Sequence, residues 1–208
     1  MAARPRFAGL ARLAGKALLP FWAVAGIAVG GTLMVGHWYT LPVPNTQDAQ
    51  VTAALNQLRG PAERHSWLLV HFLYADCRCS QRIFEHLLER GRDPAFAEKM
   101  VLIGEHSTSV ERAIAAGFAV DVVSVPELAA RFHVQSAPLF AVISDAGTLS
   151  YLGGYTERKQ GALILDQRIA SDLRKSKHVA SLPVFGCVVS RSLQRALDPL
   201  GIKYDQKG

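Results

Sequence analysis

Two cysteines one residue apart, Cys77 and Cys79, offer the most reactive chemistry in the chain. They close an apolar run, Val70-His71-Phe72-Leu73-Tyr74, that reads as a buried strand. The stretch 81–90 after them carries Ile83, Phe84, Leu87 and Leu88 at helical spacing. Sulfur placed where a strand hands over to a helix N-terminus meets unpaired amides and the positive end of the helix dipole. Both favour the thiolate, the form that attacks disulfides and binds soft metals. Thiol–disulfide exchange needs an attacking sulfur, a second sulfur that releases the mixed disulfide, and a proton carrier. Cys77 is the expected attacker, ionised at neutral pH on an accessible rim, and Cys79 is the nearest resolving sulfur. With one residue between them the closed ring is small and strained, which makes such a disulfide easier to reduce. His71 is a candidate proton carrier if it faces the pair, although its alternation with apolar neighbours fits a core histidine equally well. Arg78 favours the thiolate and Asp76 opposes it.

Cys187 has two readings. Gly186 precedes it and a helix-like run follows, so it is either a polarised thiol able to pair with Cys77 or Cys79, or a small buried hydrophobe. An odd number of cysteines in an oxidising compartment asks for an explanation.

The elements that must position these sulfurs follow from periodicity and punctuation. Thr46 or Asp48 caps a helix through Val51, Ala54, Leu55 and Leu58 that Gly60-Pro61 stops. A central strand over 67–73 and the cysteine helix to Arg90 come next, then a strand at 100–104 and a short helix over 110–117. The β-branched stretch 118–123 reads as extended, with Asp121 in need of a partner or an edge position. Val125-Pro126 opens a helix to Phe132. Residues 139–143 and 148–152 pair as a hairpin across Asp145-Ala146-Gly147. A last amphipathic helix covers 163–173. Mixed elements with crossovers and a closing hairpin give an α/β three-layer domain.

Strand, cysteine pair and amphipathic helix, followed by a segment in which Pro138 opens a strand and a tight turn leads to a second strand ending at Gly153, resemble the thioredoxin superfamily. Within it the chain is similar to the membrane-anchored, TlpA-like branch of thiol–disulfide oxidoreductases that serve bacterial envelope proteins. The resemblance spans roughly residues 48–175, about one domain of chain. It implies a thioredoxin-like three-layer sandwich, a cis Ala137-Pro138 peptide whose loop faces Cys77, protein thiols and disulfides as substrates, and no cofactor. Laid on the family's Cys-x-x-Cys pattern, Cys77 takes the attacking position, Ser80 replaces the second cysteine, and Cys79 falls between. Asp76 stands where a tryptophan is frequent, and His71 stands for the family's buried acid.

Arg4, Arg6, Arg12 and Lys16 precede an uncharged stretch, 17–36, long enough to cross a bilayer as a helix. Trp22 lies within it, and His37, Trp38 and Tyr39 suit a membrane boundary. The bulky residues 37–41 do not suit a signal-peptide cleavage point. The expected organisation is a basic cytoplasmic leader at 1–16, a transmembrane signal anchor at 17–39 and an extended Pro-rich linker at 40–47. A thioredoxin-like domain at 48–178 and a C-terminal extension at 179–208 that carries Cys187 follow. That predicts a single-pass protein of a bacterial inner membrane, N-terminus cytoplasmic and domain periplasmic.

Four of the 23 basic residues belong to the leader, leaving 19 against 17 acidic ones. The exported part is thus nearly neutral, and without a basic patch interleaved with aromatics it is no nucleic-acid partner. Three cysteines are too few for a disulfide-stapled fold. Two other functions remain open on the same fold. One is copper(I) handling by Cys77, Cys79 and a histidine such as His71 or His133, since soft thiolates select that ion. The other is a redox-inactive domain that presents its groove to a partner.

Overall fold

Strand β1 (Leu68–Tyr74) is the middle of a five-stranded sheet ordered β3-β2-β1-β5-β6. It pairs in parallel with β2 (Ala97–Ile103) and antiparallel with β5 (Leu139–Ile143). With both faces covered, β1 is buried along nearly its whole length, which explains its continuous apolar run. Parallel β3 (Ala119–Val123) and antiparallel β6 (Leu149–Gly153) are the edges. The computed structural model describes residues 18–31, 40–104, 107–159 and 161–198, and the chain divides into two units, 1–39 and 40–208.

In the first unit residues 18–31 are helical (α1), with Leu18, Phe21, Trp22 and Ile27 exposed. The leader expected at 1–16 and residues 32–39 of the expected anchor lie outside the described residues. Among the described residues no helix is long and apolar enough to cross a membrane.

In the second unit the alternation of β1 sorts the core into two. Leu68, Val70 and Phe72 face Val51 and Leu55 of α2 (Ala49–Asn56) and Leu128 and Phe132 of α5 (Val125–Phe132). Leu69 and Leu73 face Ile83, Phe84 and Leu87 of α3 (Arg78–Arg90), Ala113 of α4 (Ser107–Ala115), and Ile169 of α6 (Asp166–Arg174). The three layers follow. Asp48, rather than Thr46, caps α2 by accepting from the Gln50 and Val51 amides at 2.8 and 3.4 Å. Ser124 caps α5, with Pro126 in its first turn. Asp121 lies on the edge strand and meets Arg131 at 3.4 Å. The hairpin turns at Gly147, φ 83°.

One boundary differs from expectation, and two further segments pack into the domain. Helix α6 starts at Asp166, not 163, because the Asp166 carboxylate is buried at its first turn against Arg90 and His86, leaving Leu163 exposed. Residues 40–47 do not all stand clear of the domain: the Leu41 amide donates to Val184 at 2.9 Å, and Ser136 donates to the Pro42 carbonyl at 3.1 Å. The described part of the extension at 179–208 packs into the domain as well. Val184, Val188 and Val189 are buried in the same cluster as Leu41, β7 (Cys187–Val188) pairs antiparallel with β4 (Ser136–Ala137), and α7 (Arg191–Leu197) follows. Residues 182–190 therefore form a strap. It passes the end of β6, where the Gly154 amide donates to Leu182 at 2.9 Å, and a β-carbon on Gly153 or Gly154 would collide with strap backbone.

Candidate active site

Cys77 is the N-cap of α3, in an extended conformation that turns β1 into the helix. Its sulfur lies 3.8 Å from the carbonyl oxygen of Ala137, the residue that precedes a cis peptide to Pro138. A five-stranded order with β1 central, a thiol capping the helix after β1, and a cis-proline loop against that thiol complete the pattern. The fold is thioredoxin-like.

No family model matches the chain, and no curated protein does. Solved structures do. A hypothetical protein from Sinorhizobium meliloti is similar at 17% identity over 74% of this chain and 91% of its own, with a TM-score of 0.46. A secreted Mycobacterium tuberculosis disulfide oxidoreductase, described as homologous to E. coli DsbE, is similar at 11% identity over 55% and 84%, TM-score 0.39. The N-terminal domain of PilB from Neisseria gonorrhoeae is similar at 16% identity over 63% and 100%, TM-score 0.38. The fold assignment rests on the strand order and the loop geometry of this chain.

Three sulfurs meet at the helix start. Hydrogen bonds from Cys187 and then Cys79 hold the Cys77 thiol far below its ordinary range, against the opposing effect of burial. The amide of Ser80 acts in the same direction. These contacts favour the thiolate of Cys77. Cys79 is pushed the other way, first because its S–H donates to the Cys77 thiolate and second by burial, with Lys159 and Arg82 partly offsetting both. None of the three is in a disulfide.

Accessibility departs from expectation. Cys77 has no exposed surface, Cys79 is exposed and Cys187 is half-buried. The strap packs on the loop that faces Cys77. A β-carbon on Gly186 would come within 2.6 Å of the Pro138 ring and closer still to the Ala137 carbonyl, so only glycine lets the strap lie this tightly over the loop. Instead of Cys77, the rim presents Cys79 in a cavity of about 250 Å³ with Pro138, Tyr155 and Gly186, flanked by Arg78, Arg82 and Lys159. A larger cavity, about 530 Å³, lies on the Asp76 and Gln81 side of α3 and contains no cysteine.

His71 is not brought to the sulfurs. Its Nε2 donates to Glu98 at 3.1 Å, its Nδ1 meets the Tyr155 hydroxyl at 3.0 Å, and its ring stacks on Phe140. It is a satisfied core histidine, and Tyr155 links it to the cavity. Behind it Arg90 binds Glu98 and, at 2.9 Å, Asp166, which His86 also meets at 3.3 Å. Burial would raise the Glu98 carboxyl, but His71 and Arg90 outweigh it and hold the group down at about 2. Burial likewise opposes the Arg90 charge, and Glu98 and Asp166 more than restore it.

The histidines weighed as copper(I) ligands are engaged elsewhere. Both nitrogens of His71 are engaged, and the exposed His133 binds Asp48 at 2.8 Å. Among the described residues no group of three histidine, cysteine or acidic side chains is disposed to hold a metal ion. Sequence reasoning gave no role to Gly154, Tyr155, Glu98 or Arg90, and it tied Gly186 only to the reactivity of Cys187, not to the close approach of the strap. The Gly-Gly pair and the glycine before Cys187 were the available signals.

Proposed function

We propose that the chain is a thiol–disulfide oxidoreductase acting on protein thiols and disulfides, with Cys77 as its ionised sulfur. The observation that carries this is a cysteine sulfur at a helix N-cap, against the Ala137-Pro138 loop, with two further thiols in hydrogen-bonding reach. A stabilised thiolate is both a ready nucleophile and a good leaving group, which are the two properties disulfide exchange draws on. Cys79, exposed at the rim and protonated, is placed to meet a substrate and to supply the proton a departing thiolate takes up.

The uncharged stretch 17–36 behind a basic leader supports a further part of the reading. It makes the protein a single-pass inner-membrane one with the domain on the periplasmic side, in the manner of the TlpA-like branch. A cysteine cluster that works by exchange also fits a compartment where disulfides persist.

Reduction of insulin disulfides by the full chain, with dithiothreitol as electron source and a chelator present, tests the reading. Activity that is lost in Cys77→Ser supports it. Stoichiometric copper(I) binding without exchange would replace it by a metal carrier. The absence of both would leave a partner-binding domain.

A further inference from the structure

Cys187 is placed by backbone, not by chance of side-chain packing. It is the register partner of Ala137 in the β4–β7 pair, and the carbonyl oxygen of Ala137 is the one 3.8 Å from the Cys77 sulfur. Gly186 seals the strap onto the Ala137-Pro138 loop just before it, while buried Val188 and Val189 anchor it just after. The strap thereby occupies the loop edge beside the thiolate and puts its own sulfur there, half-buried where Cys77 is fully covered.

Resting on the oxidoreductase reading, we propose that the working disulfide of the oxidised protein joins Cys77 to Cys187, and that Cys187 is the sulfur which an incoming protein thiol attacks. The competing Cys77–Cys79 bond would have to close over a single residue at the first turn of α3, where the backbone is already committed to the helix. Cys187 arrives on a separate strand and is free of that constraint.

The exchange balances as follows. A substrate thiolate attacks Cys187 Sγ; the new bond joins substrate sulfur to Cys187, the Cys77–Cys187 bond breaks, and the electron pair leaves on Cys77. Cys77 is the better leaving group of the two, because Cys79 and the Ser80 amide remain around it as hydrogen-bond donors. A second thiolate of the substrate then attacks the substrate sulfur held on Cys187. The substrate departs as a disulfide, and Cys187 leaves as a thiolate that takes up a proton. The substrate dithiol has lost two electrons and two protons; the protein holds the Cys77 thiolate and the Cys187 thiol, with the remaining proton in solvent. Arg78, Arg82 and Lys159 around the adjacent cavity favour ionisation of the arriving thiol. Recharging is the reverse exchange against a disulfide of higher potential, for which glutathione disulfide serves as probe and leaves as two thiols. The substrate class is therefore a protein dithiol, and the direction of work is oxidation.

The test needs no variant. Trypsin separates the three cysteines onto residues 65–78, 79–82 and 178–191. The full chain is oxidised with glutathione disulfide, alkylated, digested and mapped by mass spectrometry. The expected product links 65–78 to 178–191, with 79–82 alkylated. A link from 65–78 to 79–82, with 178–191 alkylated, overturns the assignment of Cys187 and leaves the oxidoreductase reading standing. Three alkylated peptides would defeat both. In the second arm the oxidised chain receives a small amount of reduced glutathione and is quenched in acid. The adduct should favour 178–191 over the other two by about tenfold, and a preference for 65–78 or 79–82 overturns the proposed point of attack.

Discussion

Gly186 and Pro138 touch so closely that a single β-carbon on the glycine would lie 2.6 Å from the proline ring. The cover over Cys77 depends on that contact. Gly186→Ala should push the strap away from the loop, at a cost of about 1–3 kcal/mol for the overlap, and uncover the thiol. At neutral pH, where the contacts around Cys77 favour its thiolate, alkylation of Cys77 should then quicken by about tenfold or more. Peptide mapping after timed iodoacetamide labelling reads this directly; an unchanged rate would mean the strap does not shield the sulfur.

The charge state of Cys77 gives a second prediction. Its thiol is lowered first by Cys187 and then by Cys79, so the folded protein should keep one thiolate as the pH falls well below the ordinary thiol range. A depressed folded value means that this group stabilises the fold above its unfolded pKa, and that the contribution is lost as the pH falls through the folded one. Cys187→Ala removes the largest cause and should move the titration upward. Thiolate ultraviolet absorbance against pH is the measurement, with Cys77→Ser as the blank.

How much of this was readable in the chain depends on the range of the interactions. The cysteine turn, the hairpin and Pro138 are local patterns, each complete within about a dozen residues, and their elements lie within a few residues of where periodicity put them. Strand β2 shows the limit. Its expected start was Met100, yet it begins at Ala97, because Glu98 and Lys99 look like a polar boundary until Arg90 and His71 are found to satisfy the glutamate. The strap shows it more sharply. Two residues of β4 pair with two of β7, fifty positions on, and so short a pairing leaves no periodic trace. The same distance hid the burial of Cys77, which no property of the Asp-Cys-Arg-Cys turn itself foretells.

The network beneath the site makes a third prediction. Glu98 sits at about 2 when folded against an ordinary 4.5, so its contribution to stability is complete above about pH 4.5 and is lost progressively as the pH falls toward 2. The shift corresponds to about 3 kcal/mol. Removing the cation instead, as in Arg90→Met, leaves Glu98 and Asp166 buried without their shared partner and should cost roughly 3–5 kcal/mol. Urea unfolding at neutral and acid pH measures both. Equal stability of wild type at pH 7 and pH 3 would count against the Glu98 assignment.

The last prediction concerns the segment that the thioredoxin resemblance leaves out. If residues after 180 were an appendage, deleting them would change stability little. In the fold observed, the deletion takes Val184, Val188 and Val189 out of the core and leaves the Leu41 amide and the β4 edge without their partners. Burial of three valines at about 1.5–2 kcal/mol each gives an upper figure of about 6 kcal/mol, a large share of the stability of a domain this size. A chain ending at Ala180 should therefore melt well below the full-length protein, bind a hydrophobic dye, and expose Cys77 to alkylation even at low temperature. Cys187→Ser, which keeps the valines, should do none of the first two; if both variants behaved alike, the strap would owe its place to the sulfur and not to the core.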